Sequence, residues 1–219
     1  MVNPLLVVIC MGFWVTSGMI GCSRSPGIPG GKGPKAGGVF ADPKVAELAE
    51  ALLRSDLATS ERLFHEGVDV NSVGKDGTNL PLWAMQNRSK IGFKWLFEHG
   101  ADPNYLPKQG RGPLHLAAGA DDPDWLQIIL LHKPDVNLKY DSLKIGSLTM
   151  TSTPLEDAAA YQRKQNVQML LAAGADINPS TPGPTSPLIM AAESGWNEGC
   201  AFYWKPALTI RRPPQRSMS

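Results

Sequence analysis

Cysteine is scarce in this chain of 219 residues, and so are the local patterns of enzyme active sites. Only Cys10, Cys22 and Cys200 occur. Two of them lie at or before the end of an apolar N-terminal segment, so a disulfide framework inside the folded part is excluded and the fold must rest on packing. No nucleophile elbow, HExxH or CxxC pattern is present, and the sequence therefore predicts no catalytic residue and no cofactor.

An excess of charge of one sign is also missing. The chain has 21 basic and 20 acidic residues, with a formal net charge of +1. This balance gives no electrostatic argument for a nucleic-acid partner. With 42% hydrophobic and 19% charged residues, the composition fits one ordered domain.

Charged side chains are absent before Arg24, and residues 5–15 form an apolar run of the length of a secretory signal core. The run leads to Met19-Ile20-Gly21-Cys22, which resembles the lipobox of bacterial lipoproteins. The resemblance implies a signal peptide over residues 1–21 and a lipidated Cys22. The mature protein would then be anchored to a membrane of the cell envelope and would face the periplasm or the exterior.

Two alternatives to this lipoprotein remain open. The segment before the apolar run has no Lys or Arg, whereas Arg24, Lys32 and Lys35 follow it, which favours an uncleaved signal anchor with its C-terminal side in the cytoplasm. Residues 4–22 would reach about 28 Å as a helix, just enough to span a bilayer. Simple secretion is the third possibility.

Glycine and proline dominate residues 22–42, which are predicted to be a flexible linker about 25 Å long behind the lipid anchor. The stretch GGKG in this linker is not a phosphate-binding loop, because Pro26 and Gly33 occupy positions that the pattern reserves for Gly and for Ser or Thr.

Repeats organise the rest of the chain. Asp-x-Asn pairs begin at Asp69, Asp102, Asp135 and Asp176, at intervals of 33, 33 and 41. Pro-Leu pairs begin at Pro81, Pro113, Pro154 and Pro187, at intervals of 32, 41 and 33. One eight-residue insertion therefore lengthens a single unit.

A period of about 33 residues with the phrases GPLHLAA and GADPN resembles the ankyrin repeat, and the match runs over residues 43–198. The resemblance implies an all-α solenoid of about four to five helix-turn-helix repeats joined by β-hairpin-like turns. Proline suits the first helical turn, and a closing glycine such as Gly100 suits a left-handed helix end. The apolar stripes of single helix pairs are covered only when neighbouring repeats stack.

Histidine recurs with the repeat at His65, His99 and His132, near the end of each second helix. This spacing reflects architecture, and no second His or Cys lies at metal-ligand spacing, so no metal is predicted. The resemblance implies that His115 bonds backbone between repeats.

Recognition is expected at the hairpin tips and on the exposed face of each first helix, where the resemblance places a concave binding strip. The alternative for its tryptophans is that they pack between repeats. The predicted protein-binding residues are Lys75, Trp83, Gln86, Asn87, Tyr105, Arg111, Tyr140, Asp141, Tyr161, Glu193 and Trp196. The insertion over residues 138–152 alternates apolar and polar side chains and is predicted to form a protruding β-hairpin, either a binding loop or an idle insertion.

Residues 199–219 do not continue the repeat and are predicted to be an aberrant, frameshifted tail. Phe202-Tyr203-Trp204-Lys205 must be encoded TTY-TAY-TGG-AAR, and reading from the third base gives Leu-Leu-Glu with any codon choice. The following codons permit Ala-Gly-Ala-Asp, which would complete the phrase that ends each repeat. A shift of frame near residue 198 explains the tail.

These features predict a non-enzymatic protein-binding module displayed on a membrane. One alternative is an inhibitor or immunity-type protein that blocks an enzyme or a toxin. A remote alternative is an enzyme, which no pattern of residues in the sequence supports.

Overall fold

Pairs of short antiparallel helices follow one another along the chain in the computed structural model, which describes residues 35–108, 110–145, 148–179, 186–201 and 203. The predicted signal peptide, Cys22 and most of the predicted tail lie outside these residues. The helices are α1 Ala36–Val39, α2 Pro43–Leu53, α3 Leu57–His65, α4 Leu80–Gln86, α5 Lys90–Glu98, α6 Pro113–Gly119, α7 Asp124–Leu130, α8 Pro154–Ala160, α9 Lys164–Ala172 and α10 Pro187–Glu193. A further helical segment covers residues 197–201.

The first helices of successive pairs lie side by side: α2 packs on α4, α4 on α6, α6 on α8 and α8 on α10. Each second helix packs behind its own first helix, and one continuous apolar core runs through the stack. The structure therefore confirms the expected helix-turn-helix solenoid. Stability in such a stack comes from the faces that neighbouring repeats bury against each other.

Side-chain caps start the first helix at the predicted proline in the second, fourth and fifth repeats, whereas Gly112 in the third repeat has no capping side chain. The side chains of Asn79, Thr153 and Ser186 accept hydrogen bonds from backbone N–H groups in the first turn. At Thr153 the bond is reciprocal, because the carboxylate of Glu156 accepts from the backbone N–H of Thr153 at 2.7 Å. Such caps satisfy donors that have no partner within the helix.

Left-handed residues end the second helices, as the glycines predict: Gly67, Gly100 and Gly174 have φ angles of 88°, 88° and 92°. In the third repeat Lys133 occupies this position with φ 51°. A lysine is strained there relative to glycine, because its Cβ crowds the backbone at positive φ.

The Asp-x-Asn pairs form a ladder between repeats. Within a pair, the aspartate accepts from the asparagine backbone N–H, at 2.9 Å for Asp69 and Asn71. Between pairs, the side-chain oxygen of each asparagine accepts from the next aspartate backbone N–H at 2.7 Å. The three rungs are Asn71 to Asp102, Asn104 to Asp135 and Asn137 to Asp176. The pairs therefore set the local turn and also tie neighbouring repeats together.

The insertion forms the expected hairpin: strand β1, Tyr140–Ile145, pairs antiparallel with β2, Leu148–Ser152. Tyr140 lies opposite Ser152 and Asp141 opposite Thr151, and the register shifts after Asp141. The hairpin thus begins beside the core and ends directly at the N-cap of α8.

The packed fold begins earlier than the predicted boundary of the linker at residue 42. Helix α1 buries Ala36 and Val39, and Phe40 behind it is 3% exposed. The backbone N–H of Lys75 donates to the carbonyl of Val39 at 3.1 Å, which joins this segment to the first hairpin turn. The apolar residues at 36, 39 and 40 therefore pack against the first two repeats, and residues 36–42 belong to the fold and not to a flexible linker.

Candidate functional site

The predicted protein-binding residues divide into three groups by exposure. Exposed side chains are available for contact with a partner, half-buried ones present an edge, and buried ones belong to the core. The exposed residues are Lys75, Asp141 and Glu193, the half-buried ones are Gln86, Asn87, Tyr105, Arg111 and Tyr161, and the buried ones are Trp83, Tyr140 and Trp196.

Trp83 and Trp196 are corrections to the predicted surface. Trp83 is 1% exposed, and its ring meets that of Phe40 edge to face with the centroids 5.9 Å apart. Trp196 is also buried, and its ring lies so close to Gly199 that a Cβ there would collide with it. Both tryptophans pack between elements of the fold, so neither offers its face to another protein.

Two of the predicted residues, Arg111 and Tyr140, contact the buried carboxylate of Asp157 in α8, and a third, Tyr161, joins them through Arg111. Arg111 Nε donates to the hydroxyl of Tyr140 at 2.8 Å, and Arg111 Nη1 donates to the hydroxyl of Tyr161 at 2.7 Å. Arg111 Nη2 lies 3.2 Å from Asp157 Oδ1, and the Tyr140 hydroxyl donates to the same oxygen at 3.3 Å. We call Arg111, Tyr140, Tyr161 and Asp157 the arginine cluster.

Aromatic faces complete the arginine cluster. The guanidinium carbon lies 5.2 Å from the ring centroid of Tyr161 and 5.8 Å from that of Tyr140. His115 meets Tyr140 edge to face at 4.7 Å and donates through Nε2 to the carbonyl of Leu138 at 2.9 Å. The cluster therefore fixes the base of the inserted hairpin to two neighbouring repeats. Tyr140, predicted as a contact residue, is buried and serves this structural purpose.

Burial sets the titration of the groups around Asp157. It raises the pKa of Asp157 to about 7, although the charge of Arg111 opposes the shift. Burial likewise lowers the pKa of His115 to about 4 and raises the pKa of Tyr140. Burial is the largest effect on Arg111 and disfavours its charge, but Asp157, Tyr140 and Tyr161 together outweigh it, so the pKa of Arg111 is raised. Arg111 thus stays cationic, while Asp157 exchanges a proton near neutral pH.

Asp157 and Gly119 are absent from the predicted site. Asp157 lies three residues after Pro154, and the equivalent residue of the third repeat is Leu116, three residues after Pro113. An acidic residue at a position that is apolar in the neighbouring repeat could have identified Asp157 from the sequence. Gly119 gave no local signal. A Cβ on Gly119 would lie 2.6 Å from Cδ2 of Tyr161, so the glycine makes room for that ring.

The hairpin tips carry the exposed part of the predicted surface. The Tyr105 hydroxyl donates to the carbonyl of Gly77 at 2.7 Å and holds adjacent tips together. Beyond it, a cleft of about 210 Å³ opens between the tip of the second repeat and the base of the inserted hairpin. We call it the tip cleft; its lining residues are Leu106, Pro107, Lys108, Gly110, Lys139, Tyr140 and Asp141.

The recurring histidines lie away from the tips. His99 Nδ1 donates to the carbonyl of Trp95 at 2.7 Å, and its Nε2 lies 3.0 Å from Oε1 of Glu61. Glu61 also accepts from Trp95 Nε1 at 2.8 Å, so His99 joins two second helices. Within the described ranges, no group of three or more His, Cys, Asp and Glu side chains is arranged to hold a metal ion.

No helix in the described part of the chain has both the length and the apolar character needed to cross a bilayer.

Comparison with known proteins gives one family and several relatives. Residues 48–140 match the family model for ankyrin repeats in three copies. An ankyrin repeat protein of fowlpox virus, FPV222, is 25% identical over 155 residues, which are 69% of this chain and 19% of that protein. Protein PhlB of Serratia liquefaciens is 29% identical over 152 residues, 67% of this chain and 61% of that protein.

A third relative is the palmitoyltransferase AKR1 of Lachancea kluyveri, 29% identical over 147 residues, 66% of this chain and 19% of that protein. The chain thus spans less than two thirds of the length of each of these three relatives. The matched family model ends at the base of the inserted hairpin, whereas the stacked helix pairs continue to α10.

Proposed function

The chain is an ankyrin repeat protein, and on that premise we propose that it is a non-enzymatic module that binds a partner protein through its hairpin tips and the concave face of its first helices. Ankyrin repeats generally mediate contacts between proteins. The activity named for the palmitoyltransferase relative belongs to that protein, of which the matched segment is 19%.

The division of labour between polar groups is the observation that carries this proposal. The side chains of the turn asparagines accept hydrogen bonds from the next repeat. Asn104, for example, accepts from the backbone N–H of Asp135 at 2.7 Å. His115 and the buried Asn166 likewise bond to backbone carbonyls of another repeat. These groups hold the scaffold together, while Lys75 in the first hairpin turn and Asp141 at the base of the inserted hairpin are exposed to solvent. Side chains that the scaffold does not use are the ones that recognise other molecules.

Affinity capture from envelope extracts tests the proposal. The full chain is immobilised and the bound protein is identified and titrated. The test variant, which we call the tip variant, replaces the exposed predicted residues with alanine: Lys75 and Asp141 in the hairpins and Glu193 at the end of α10. We expect one saturable partner at a fixed stoichiometry and at least about tenfold weaker binding to the tip variant, as for the loss of an interface hot spot.

A matched control uses equivalent exposed positions on the second helices. Lys94, Gln127 and Gln168 are exposed in the second helices α5, α7 and α9, outside the hairpins. Their triple alanine variant is expected to bind as the unchanged chain does. Equal losses in both variants would contradict recognition by the tips. If the partner is an enzyme whose turnover stops on binding, the module acts as an inhibitor.

Anchoring of the module to a membrane of the cell envelope through lipidated Cys22 is the second part of the proposal. The lipobox-like Met19-Ile20-Gly21-Cys22 supports it. Cells fed an alkyne-bearing fatty acid should label the unchanged chain and Cys200→Ser but not Cys22→Ser. An unlabelled chain that stays in the membrane fraction would indicate the signal anchor, and an unlabelled soluble chain would indicate secretion.

A further inference from the structure

The tip cleft is a second place of interest on the binding surface, because the eight-residue insertion creates one of its walls. Leu106, Pro107 and Lys108 form the wall from the second repeat, and Lys139 and Tyr140 form the wall from the inserted hairpin. A unit of the ordinary length has no such hairpin wall. The cleft is therefore a feature of this chain in addition to its repeated scaffold.

The size of the cleft limits its occupant. At about 210 Å³ it lies below the range of about 300 to 1,000 Å³ that holds small-molecule ligands and cofactors. It has room for one or two side chains of a protein segment that runs across the tips. The cleft thus suits a partner protein better than a free metabolite.

The charges of the cleft select the kind of segment. Lys108 and Lys139 are exposed on opposite walls, and Asp141 contributes the one carboxylate among the described lining residues. Lys75 occupies the same place as Lys108 in the preceding tip, one repeat earlier. An approaching chain therefore meets three ammonium groups against two exposed carboxylates, Asp141 in the cleft and Asp76 beside Lys75. This small excess of positive charge attracts carboxylates and repels basic segments.

Both walls of the cleft are held in place before anything binds. Tyr140 is fixed by the hydroxyl contacts with Arg111 and Asp157. The opposite loop is fixed by the bond from Tyr105 to Gly77, and by Gly112, where a Cβ would collide with the carbonyl of Tyr105. A preformed site loses little conformational entropy on binding.

We propose that the tip cleft binds an acidic segment of the partner protein, with a carboxylate between Lys108 and Lys139 and an adjacent apolar side chain against Leu106 and Tyr140. This inference rests on the proposed protein-binding function and adds the chemistry of the partner to it. Recognition at the cleft joins the exposed tips to the inserted hairpin in one surface.

Selection from a library of random 12-residue peptides displayed on phage tests this inference with the full chain held in detergent. Recovered peptides are synthesised, and their binding is measured by fluorescence anisotropy. We expect enrichment of Asp and Glu beside an apolar residue. Binding should weaken roughly tenfold between 50 and 300 mM NaCl, since salt screens exposed charges.

Charge reversal locates the binding. Lys108→Glu with Lys139→Glu should lower the affinity for the selected peptides by at least about tenfold, a change typical of reversed interface charges. The control is Lys94→Glu with Lys133→Glu, which makes the same change of net charge at exposed positions outside the cleft. Lys108→Gln with Lys139→Gln should give an intermediate loss, and thermal melting verifies that each variant is folded.

The outcomes separate the two proposals. Neutral or basic peptides, or acidic peptides that bind equally to the Lys108 and Lys139 variants, would overturn the acidic-segment inference and leave protein binding standing. Failure to select any peptide, together with failure to capture any partner, would overturn both.

Discussion

Arg111, at the start of the third repeat, and Asp157, in the first helix of the fourth, form an ion pair with Nη2 and Oδ1 3.2 Å apart. The Asp157 side chain is 3% exposed and that of Arg111 is 22% exposed. Two tyrosine hydroxyls and two aromatic faces complete the surroundings of the guanidinium. The pair therefore fastens the inserted hairpin at the point where the regular repeat is interrupted.

Removal of the guanidinium should destabilise the fold. Arg111→Ala leaves Asp157 buried without its partner, and breaking a buried pair in this way costs about 3 kcal/mol. Protonation of Asp157 limits the cost, because burial already raises the pKa of its carboxyl to about 7. Urea unfolding of Arg111→Ala, Asp157→Asn and the double variant gives the coupling free energy. A single variant within about 0.5 kcal/mol of the unchanged chain would show that the pair adds nothing beyond a surface contact.

The pH dependence of stability should reveal Asp157 and His115 separately. The pKa of Asp157 is raised from 3.8 to about 7, so the folded state binds the proton more tightly and this contribution to stability falls as pH rises toward 7. The pKa of His115 is lowered from 6.5 to about 4, so the unfolded state binds the proton more tightly and stability rises with pH between these values.

Between about pH 4 and 6.5, the two groups change the free energy of unfolding in opposite directions as pH rises. Above pH 6.5, of the two only Asp157 still contributes, and it lowers the free energy of unfolding. Chemical unfolding measured from pH 4 to 8 checks this profile. In Asp157→Asn the decline should disappear and the rise from His115 should become visible. If the free energy of unfolding of Asp157→Asn still falls as pH rises toward 7, other groups cause the fall, and its assignment to Asp157 is wrong.

A single methyl group should disturb the arginine cluster through Tyr161. Gly119→Ala places a Cβ 2.6 Å from the Tyr161 ring and must displace it from the guanidinium of Arg111, at a cost of about 1–3 kcal/mol for overpacking. In a Tyr161→Ala background the collision is absent. The same substitution should then be neutral or stabilising by up to about 1 kcal/mol, because alanine is favoured over glycine in helices. Equal destabilisation in both backgrounds would show that the Tyr161 ring is not the cause.

Two tyrosines should respond in opposite ways to loss of their hydroxyl. The hydroxyl of Tyr203 is buried and has no hydrogen-bond partner among the described residues, whereas that of Tyr140 takes part in two hydrogen bonds. Tyr203→Phe should therefore raise stability by about 1 kcal/mol, and Tyr140→Phe should lower it by about as much. Melting temperatures of the two variants decide the question, and a destabilised Tyr203→Phe would contradict the burial of an unpaired hydroxyl.

Position 203 bears on the proposed shift of reading frame. It lies one repeat period after Leu170, which is fully buried, as are Leu96 and Ile129 at the corresponding places. A frame that encodes Leu-Leu-Glu-Ala-Gly-Ala-Asp would put leucine at 203 and glycine at 206 or 207, against the 207 expected one period of 33 residues after Gly174. Sequencing of the coding DNA checks this prediction, and codons that do not permit the Gly-Ala-Asp continuation would exclude it. A frame-restored chain should melt at a higher temperature.

The fold was predictable from the sequence, because its signals are local and repeated. Proline at Pro113 and glycine at Gly100 mark where helices begin and end, and the single long interval between repeats indicates the hairpin. The exposure of large side chains was not predictable in the same way. Trp83 is buried by Phe40, which comes from a segment that composition assigns to the flexible linker.

The arginine cluster was predicted only in part for a related reason. Arg111, Tyr140 and Tyr161 were recognised as residue types common at interfaces, but their common partner Asp157 lies in another repeat. A buried acid is identified by the side chains that surround it, and those come from positions up to 50 residues apart. The half-exposed Arg111 and Tyr161 remain predicted contact residues, now with a fixed geometry.

The asparagine ladder has a consequence for how such a chain diversifies. Its rungs join residues 31, 31 and 39 positions apart, yet each is 2.7 Å long. The eight additional residues therefore do not change the contact between the third and fourth repeats. The side chain of Asn137 still accepts from the backbone N–H of Asp176, which lies beyond the inserted hairpin. Such a chain can lengthen one hairpin at a time and gain a new binding surface, while the stacking of its repeats stays the same.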